Sequence, residues 1–202
     1  DIMDKAPLRR GQKTVHEKWN LNTGILSGDA MLIMAYKLFE GYNSKQFQEL
    51  TTLFSKTALE VCEGQQWDMN FETQKNVDIV EYMKMIEHKT AVLLAASLQI
   101  GAIIAGASKE DQDHLYNFGV NIGLAFQLKD DLLDVFGCSE DFGKKLGGDI
   151  LANKKTFLYL KALHLADDET KVRLQYYYTH NGKSQSKVNE VKNIFNHLDI
   201  KK

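Results

Sequence analysis

The chain has 202 residues with a single proline, 44% hydrophobic and 26% charged, an ordinary globular composition that excludes disordered and collagen-like classes. Its net charge of −2, from 25 basic and 27 acidic residues, supplies no global field for nucleic acid or an anionic membrane, so any anion site has to be built locally. The two cysteines, Cys62 and Cys138, have no C-x-x-C spacing, and unpaired thiols suit a reducing, cytoplasmic setting. The length favours one domain over residues 1–202, and the opening Asp-Ile-Met-Asp, without an initiator methionine, reads as part of something longer.

With Pro7 the one proline and a helical period throughout, the class is all-α. Residues 24–42 carry Ile25, Met31, Met34, Ala35 and Leu38 near helical spacing, and Gly41 with Asn43 ends that helix. Ser44 caps a second helix over 45–62, with Phe47, Leu50, Leu53, Phe54, Ala58, Leu59 and Cys62 on one face; a polar stretch, 65–75, follows. Residues 77–106 are long enough for two helices or one kinked helix dividing near His88-Lys89-Thr90. The apolar run 91–107, interrupted by Ser97 and Gln99, is shorter than the roughly 18 to 20 residues of a bilayer span and reads as a buried central helix. Ser108 with Asp111 caps a helix over 109–136 that Gly137 ends. A glycine-rich, acidic loop over 138–149 then holds Lys144-Lys145, and helices over 154–165, 168–179 and 186–198 complete the chain.

The helix over 109–136 carries the chemistry. Leu115, Phe118, Ile122, Ala125, Leu128, Leu132 and Leu133 spread over roughly 140° and are the expected core face. Gln127, Asp130, Asp131 and Asp134 fall within roughly 100° on the other side, with Gly123 beside them. Like charges stacked at the C-terminal end of a helix oppose one another and the macrodipole, so something has to compensate, and clustered hard oxygens are what Mg²⁺ takes. A second acidic pair, Asp1 and Asp4, is followed by Arg9-Arg10-Gly11, two of the three arginines in the chain, suited to a two-pronged grip on phosphate. Lysines recur at Lys89, Lys144, Lys145, Lys154 and Lys155. Two separate carboxylate clusters with scattered cations form a constellation for a multiply charged phosphate bridged by divalent metal.

These residues resemble the motifs of the trans-isoprenyl diphosphate synthases, the farnesyl and geranylgeranyl diphosphate synthase family. Asp1-Ile-Met-Asp4 with Arg9-Arg10-Gly11 resembles the family's DDxxD and RRG, short of its opening aspartate. Phe126-Gln127-Leu128-Lys129-Asp130-Asp131-Leu132-Leu133-Asp134 is similar to its F-Q-x-x-D-D-x-x-D. Gly28-Asp29, Gly64-Gln65 with Asp68, Lys89-Thr90, the Gly143-Lys144-Lys145-Leu146-Gly147-Gly148-Asp149 loop and Lys154 to Thr156 follow in family order.

The resemblance implies an isoprenoid synthase type helical bundle with a central cavity, of which residues 1–202 form part, and a prenyltransferase that condenses an allylic diphosphate with isopentenyl diphosphate. It implies up to three Mg²⁺ ions held by Asp1, Asp4, Asp130, Asp131 and Asp134, with Asp4 and Asp130 foremost. Arg9, Lys89 and Lys154 would hold the allylic diphosphate, and Arg10 would belong to the isopentenyl diphosphate site. Lys144 or Lys145 would screen the departing pyrophosphate, and Gln127 and Thr90 would steady the allylic cation. A homodimer is implied as well. The alternatives are a class I terpene cyclase, against which the second aspartate cluster argues, and a non-catalytic subunit of a heteromeric synthase, which would tend to lose aspartates. A di-iron bundle is weaker, as no Glu-x-x-His pair is present.

Overall fold

The structure, a computed structural model, describes residues 2–3, 6–74, 76–137, 146–179 and 184–201. It divides into two compact units, Asp1–Leu53 and Phe54–Lys202. The all-α expectation holds apart from one two-stranded hairpin among the described residues.

That hairpin is the Arg-Arg-Gly segment of the first unit. β1 (Leu8–Arg9) pairs antiparallel with β2 (Gln12–Lys13), Leu8 opposite Lys13 and Arg9 opposite Gln12. The connection needs two successive left-handed residues, and Arg10 at φ 51° with Gly11 at φ 74° supply them. Thr14 is buried and anchors the hairpin, its Oγ1 donating to the Ala6 carbonyl at 2.8 Å. After a single turn, α1 (Val15–Lys18), Asn20 caps α2 (Leu21–Lys37) by accepting the Thr23 amide at 2.8 Å. This cap, closer to the N-terminus than the periodicity suggested, puts Gly24 inside the helix, where a Cβ would lie 2.9 Å from Cδ1 of Ile2. α2 buries no residue; Leu26, Met31, Ile33, Met34 and Leu38 are all exposed.

α3 (Ser44–Thr73) begins in the first unit and continues in the second. Its N-terminus is capped by Asn43, whose Oδ1 accepts the Gln46 amide at 3.0 Å, rather than by Ser44. It runs past Cys62 through most of the polar stretch, because Gln, Glu and Met propagate a helix well and the ammonium of Lys155 donates to the Phe71 and Gln74 carbonyls at its C-terminal end. In the second unit Asp78 and Glu81 form a capping box on α4 (Ile79–Ile86). α4 leads into a π-helical turn, Glu87–Ala91, and then α5 (Val92–Ile104). The expected division near His88-Lys89-Thr90 is therefore present, as one π turn. Ser108 caps α6 (Lys109–Phe136) by accepting the Asp111 amide at 3.1 Å. α7 (Gly148–Leu151), α8 (Phe157–Leu165), α9 (Asp168–Thr179) and α10 (Gln185–His197) follow.

The core of the second unit gathers Tyr82, Met85 and Ile86 of α4, Val135 of α6, Ile150 of α7, Leu158 and Tyr159 of α8, Leu174 and Tyr178 of α9, and Val191 and Phe195 of α10. α5 and α6 meet backbone to backbone: a Cβ on Gly119 would sit 2.4 Å from Cα of Ala95, and one on Gly123 2.5 Å from Cα of Ala91. This approach reverses the expectation for the first part of α6 only. Its buried residues are Gly119, Gly123, Asp131, Asp134 and Val135; Leu115, Phe118 and Ile122 are exposed, and Leu128 and Leu132 pack against the core as expected. Helix contact across glycines turns the aspartate ridge inward, since only that side of α6 lets another backbone come close. No helix among the described residues is long and apolar enough to cross a membrane.

Replacing Gly119 with Ala in the full-length protein is expected to lower stability by about 1–3 kcal/mol, because the added methyl meets backbone that cannot swing aside. Urea denaturation checks this, and an unchanged midpoint would mean that the α5–α6 contact opens at no cost.

Candidate active site

Second-unit residues make the site. Lys89 and Thr90 stand on the π-helical turn, which is squeezed from two sides: a Cβ on Gly64 of α3 would lie 2.3 Å from the Lys89 nitrogen, and Gly123 of α6 backs Ala91. A π turn adds one residue to a helix and rotates the side chains after it, so it sets where Lys89 and Thr90 point. Thr90 Oγ1 donates to Gln127 Oε1 at 3.1 Å, and Gln127 Nε2 donates to Asp131 Oδ1 at 3.1 Å. The phenol of Tyr82 donates to Asp131 Oδ2. Thus both oxygens of a carboxylate that is only 3% exposed are engaged.

Asp134, 7% exposed, is satisfied differently. Its Oδ1 and Oδ2 accept the backbone amides of Gly148 and Asp149, each at 3.2 Å, while the Gly147 amide reaches its own carbonyl at 2.8 Å. Gly147 at φ 76° turns the chain so that successive amides face α6. Asp130 is half-buried at the edge of this ridge.

The electrostatics follow from crowding. Burial, reinforced by the Asp149 charge, pushes the Asp131 carboxyl up to about 6 against the hydrogen bonds from Tyr82 and Gln127. Burial and then Asp149 likewise raise Asp134 to about 6, against the two amides and with Asp130 adding to the rise. Burial foremost, and then Asp131, drive the Tyr82 phenol far above its usual value, so it stays a donor. Four carboxylates thus press on one another. Crowded hard oxygens fit Mg²⁺, and Asp130 is half-buried where Asp131 and Asp134 are almost wholly buried. Among the described residues no group of three His, Cys, Asp or Glu side chains forms a metal cage.

The cations are arranged as sharply. Lys89 Nζ lies 2.6 Å from Asp68 Oδ2, and Lys154 Nζ lies 4.0 Å from the same oxygen. Asn153, at φ 58°, turns the chain just before Lys154, while Lys155 donates to the Phe71 and Gln74 carbonyls at the end of α3. Arg9 and Arg10 belong to the first unit, where both are exposed in the hairpin. Asp1, Asp4, Lys144, Lys145 and Cys138 lie outside the described residues. Of the residues singled out from the sequence, the second unit therefore brings together Lys89, Thr90, Gln127, Asp131 and Asp134 with Lys154 beside Asp68. Sequence reasoning missed Tyr82, because an aromatic on the apolar face of a helix reads as core and nothing local shows where its hydroxyl goes.

The raised carboxylates give stability a definite pH dependence. A folded-state pKa above the unfolded 3.8 means that the native state binds the proton more tightly, so this contribution is full below about pH 4 and is lost as pH rises through about 6. In chelator, the unfolding free energy of wild type is expected to fall relative to that of Asp131→Asn between pH 4 and 6.5, by on the order of 2 kcal/mol at most, as urea denaturation reads it. A constant gap across that range would show that Asp131 does not titrate in the folded state.

Residues 1–197 match the sequence model of the family described as Polyprenyl synthetase. A geranylfarnesyl diphosphate synthase of Natronomonas pharaonis is 42% identical over 164 residues, which are 80% of this chain and 48% of that protein. The chain spans about half the length of the curated relatives it matches. Among solved structures, a geranylgeranyl pyrophosphate synthase superposes with a TM-score of 0.92 at 50% identity, over 99% of this chain and 62% of that one. The geranylgeranyl pyrophosphate synthase of Corynebacterium glutamicum, complexed with isoprenyl diphosphate and magnesium, has a TM-score of 0.88 at 29% identity, over 99% of this chain and 62% of that one. Motif order, helical architecture and these matches agree, and the chain belongs to the polyprenyl synthetase family.

Proposed function

We propose that the protein to which these residues belong is a Mg²⁺-dependent prenyl diphosphate synthase, condensing an allylic diphosphate with isopentenyl diphosphate. The observation that carries this reading is the Thr90–Gln127–Asp131 chain of hydrogen bonds, which ties the turn bearing a phosphate-binding lysine to the aspartate ridge. Relatives named as synthases of this kind support it. So does the neighbour complexed with isoprenyl diphosphate and magnesium.

The chemistry is charge separation. The allylic C–O bond breaks, its electron pair leaves with pyrophosphate, and the cation is captured by the double bond of isopentenyl diphosphate. A proton then leaves the adduct for a pyrophosphate oxygen. When bound, Mg²⁺, up to three ions per site, supplies positive charge against the departing pyrophosphate. Lys89 and Lys154 hold the same anion, with Arg9 and one of Lys144 and Lys145 completing the grip, and their charges lower the barrier because they face where negative charge develops. Thr90 and Gln127 offer oxygen dipoles to the allylic cation, and Arg10 binds isopentenyl diphosphate. Asp130, with Asp1 and Asp4, would hold the metal. The engagement of every carboxylate oxygen of Asp131 and Asp134 by protein donors supports a role for these two in holding the ridge beneath Asp130.

Full-length protein incubated with Mg²⁺, isopentenyl diphosphate and allylic diphosphates of several lengths is expected to form elongated prenyl diphosphates. Asp130→Asn should lower that turnover by several powers of ten with the fold intact, at about 1.36 kcal/mol of barrier per tenfold. A cyclic hydrocarbon made without consuming isopentenyl diphosphate would point to a cyclase, and wild-type kinetics in Asp130→Asn would remove the metal from this ridge.

The exposed apolar residues on and beside α2, among them Met31 at 70% and Leu38 at 75%, support a homodimer, since a large open apolar face marks an interaction surface. Light scattering of full-length protein at micromolar concentration should give twice the subunit mass; a monomer rejects the dimer.

A further inference from the structure

Asp68 is used by nothing above except as a partner, yet its surroundings are specific. It stands one helical turn after Gly64 on the same face of α3. Gly64 brings α3 against the Lys89 backbone, and Asp68 takes the Lys89 ammonium at 2.6 Å, so one stripe of α3 fixes both ends of that residue. The Lys154 ammonium lies 4.0 Å from the same oxygen, although Lys154 arrives from the far side of the chain after the left-handed Asn153. The next residue, Lys155, is bonded to carbonyls at the end of α3, which anchors the Lys154 backbone to the same helix. The carboxylate is only 13% exposed, so water and salt screen these attractions weakly.

We propose that Asp68 is a positioning residue: it gathers the Lys89 and Lys154 ammonium groups, which would otherwise repel each other, into a preset pair for one diphosphate. The proposal rests on the synthase reading above. Each ammonium has three donors and spends at most one on Asp68, so the pairing itself does not exhaust either lysine. Long lysine arms held before substrate arrives lose less freedom when it binds. An amide at this position would keep the shape but not the charge, and its NH₂ group would turn one lysine away.

The test uses full-length protein and inorganic pyrophosphate with Mg²⁺, followed by calorimetry. Asp68→Asn is expected to weaken binding about tenfold and to raise KM for the allylic diphosphate while leaving KM for isopentenyl diphosphate unchanged. Asp68→Glu, which restores the charge, should recover most of the affinity. In a Lys89→Met/Lys154→Met background the Asp68→Asn change should have no further effect on pyrophosphate binding. Unchanged or tighter binding by Asp68→Asn, or an equal loss with and without the two lysines, would overturn the proposal. Asp68→Ala supplies the same loss of charge if Asp68→Asn does not fold. Failure of the wild type to bind pyrophosphate or make product would instead strike the synthase reading, and the role of Asp68 with it.

Discussion

Burying ionisable carboxylates beside one another is costly, and the arrangement of the second unit follows from how that cost is met. Asp131 and Asp134 lie almost entirely out of water on α6. The donors that make this possible come from elements far apart in sequence: the Tyr82 phenol of α4, the Gln127 amide one turn earlier on α6, and the backbone amides that open α7. Removing any one would leave a desolvated acceptor unpaired, so α4, α6 and α7 hold a common position. The raised carboxyls show that the compensation is incomplete. That residual repulsion is what a divalent cation at the edge of the ridge would relieve.

The same logic governs the turn that bears Lys89 and Thr90. A π turn gives up regular hydrogen bonding and persists where neighbours hold it. Here the neighbours are backbones, admitted by Gly64 on one side and Gly123 on the other. Thr90 then reaches Gln127, and the turn and the ridge become one hydrogen-bonded assembly. The two adjacent lysines, Lys154 and Lys155, divide the remaining work: one ammonium approaches Asp68, the other closes the end of α3. Identical chemistry at adjacent positions thus meets different partners, a carboxylate and two backbone carbonyls.

Where features depend on nearest neighbours in the chain, they were legible from the sequence. The helical class, the Ser108 cap and the bounds of α6 and α9 follow from periodicity and capping chemistry, which act within one or two turns. The division near His88-Lys89-Thr90 was also visible, as was the site composition of lysine, glutamine and aspartate. The polar end of α3 was not, because its closing contact comes from Lys155, more than eighty positions away.

Orientation is what the tertiary structure alone decided. An amphipathic pattern on α6 gives two faces, and hydrophobicity names the leucine and phenylalanine face as the core. In the folded chain Gly119 and Gly123 bring the other face inward as well, since close approach to Ala91 and Ala95 is possible only where no side chain intervenes, while Leu128 and Leu132 still pack against the core. The aspartates on that face are buried, and their chemistry is set by partners such as Tyr82 whose role no local pattern reveals. Periodicity and capping are properties of short segments, and sequence determined them. The burial of a charge, the pairing of Lys89 with Asp68 and the choice between two faces of α6 depend on which backbones meet, and only the assembled tertiary structure decides that.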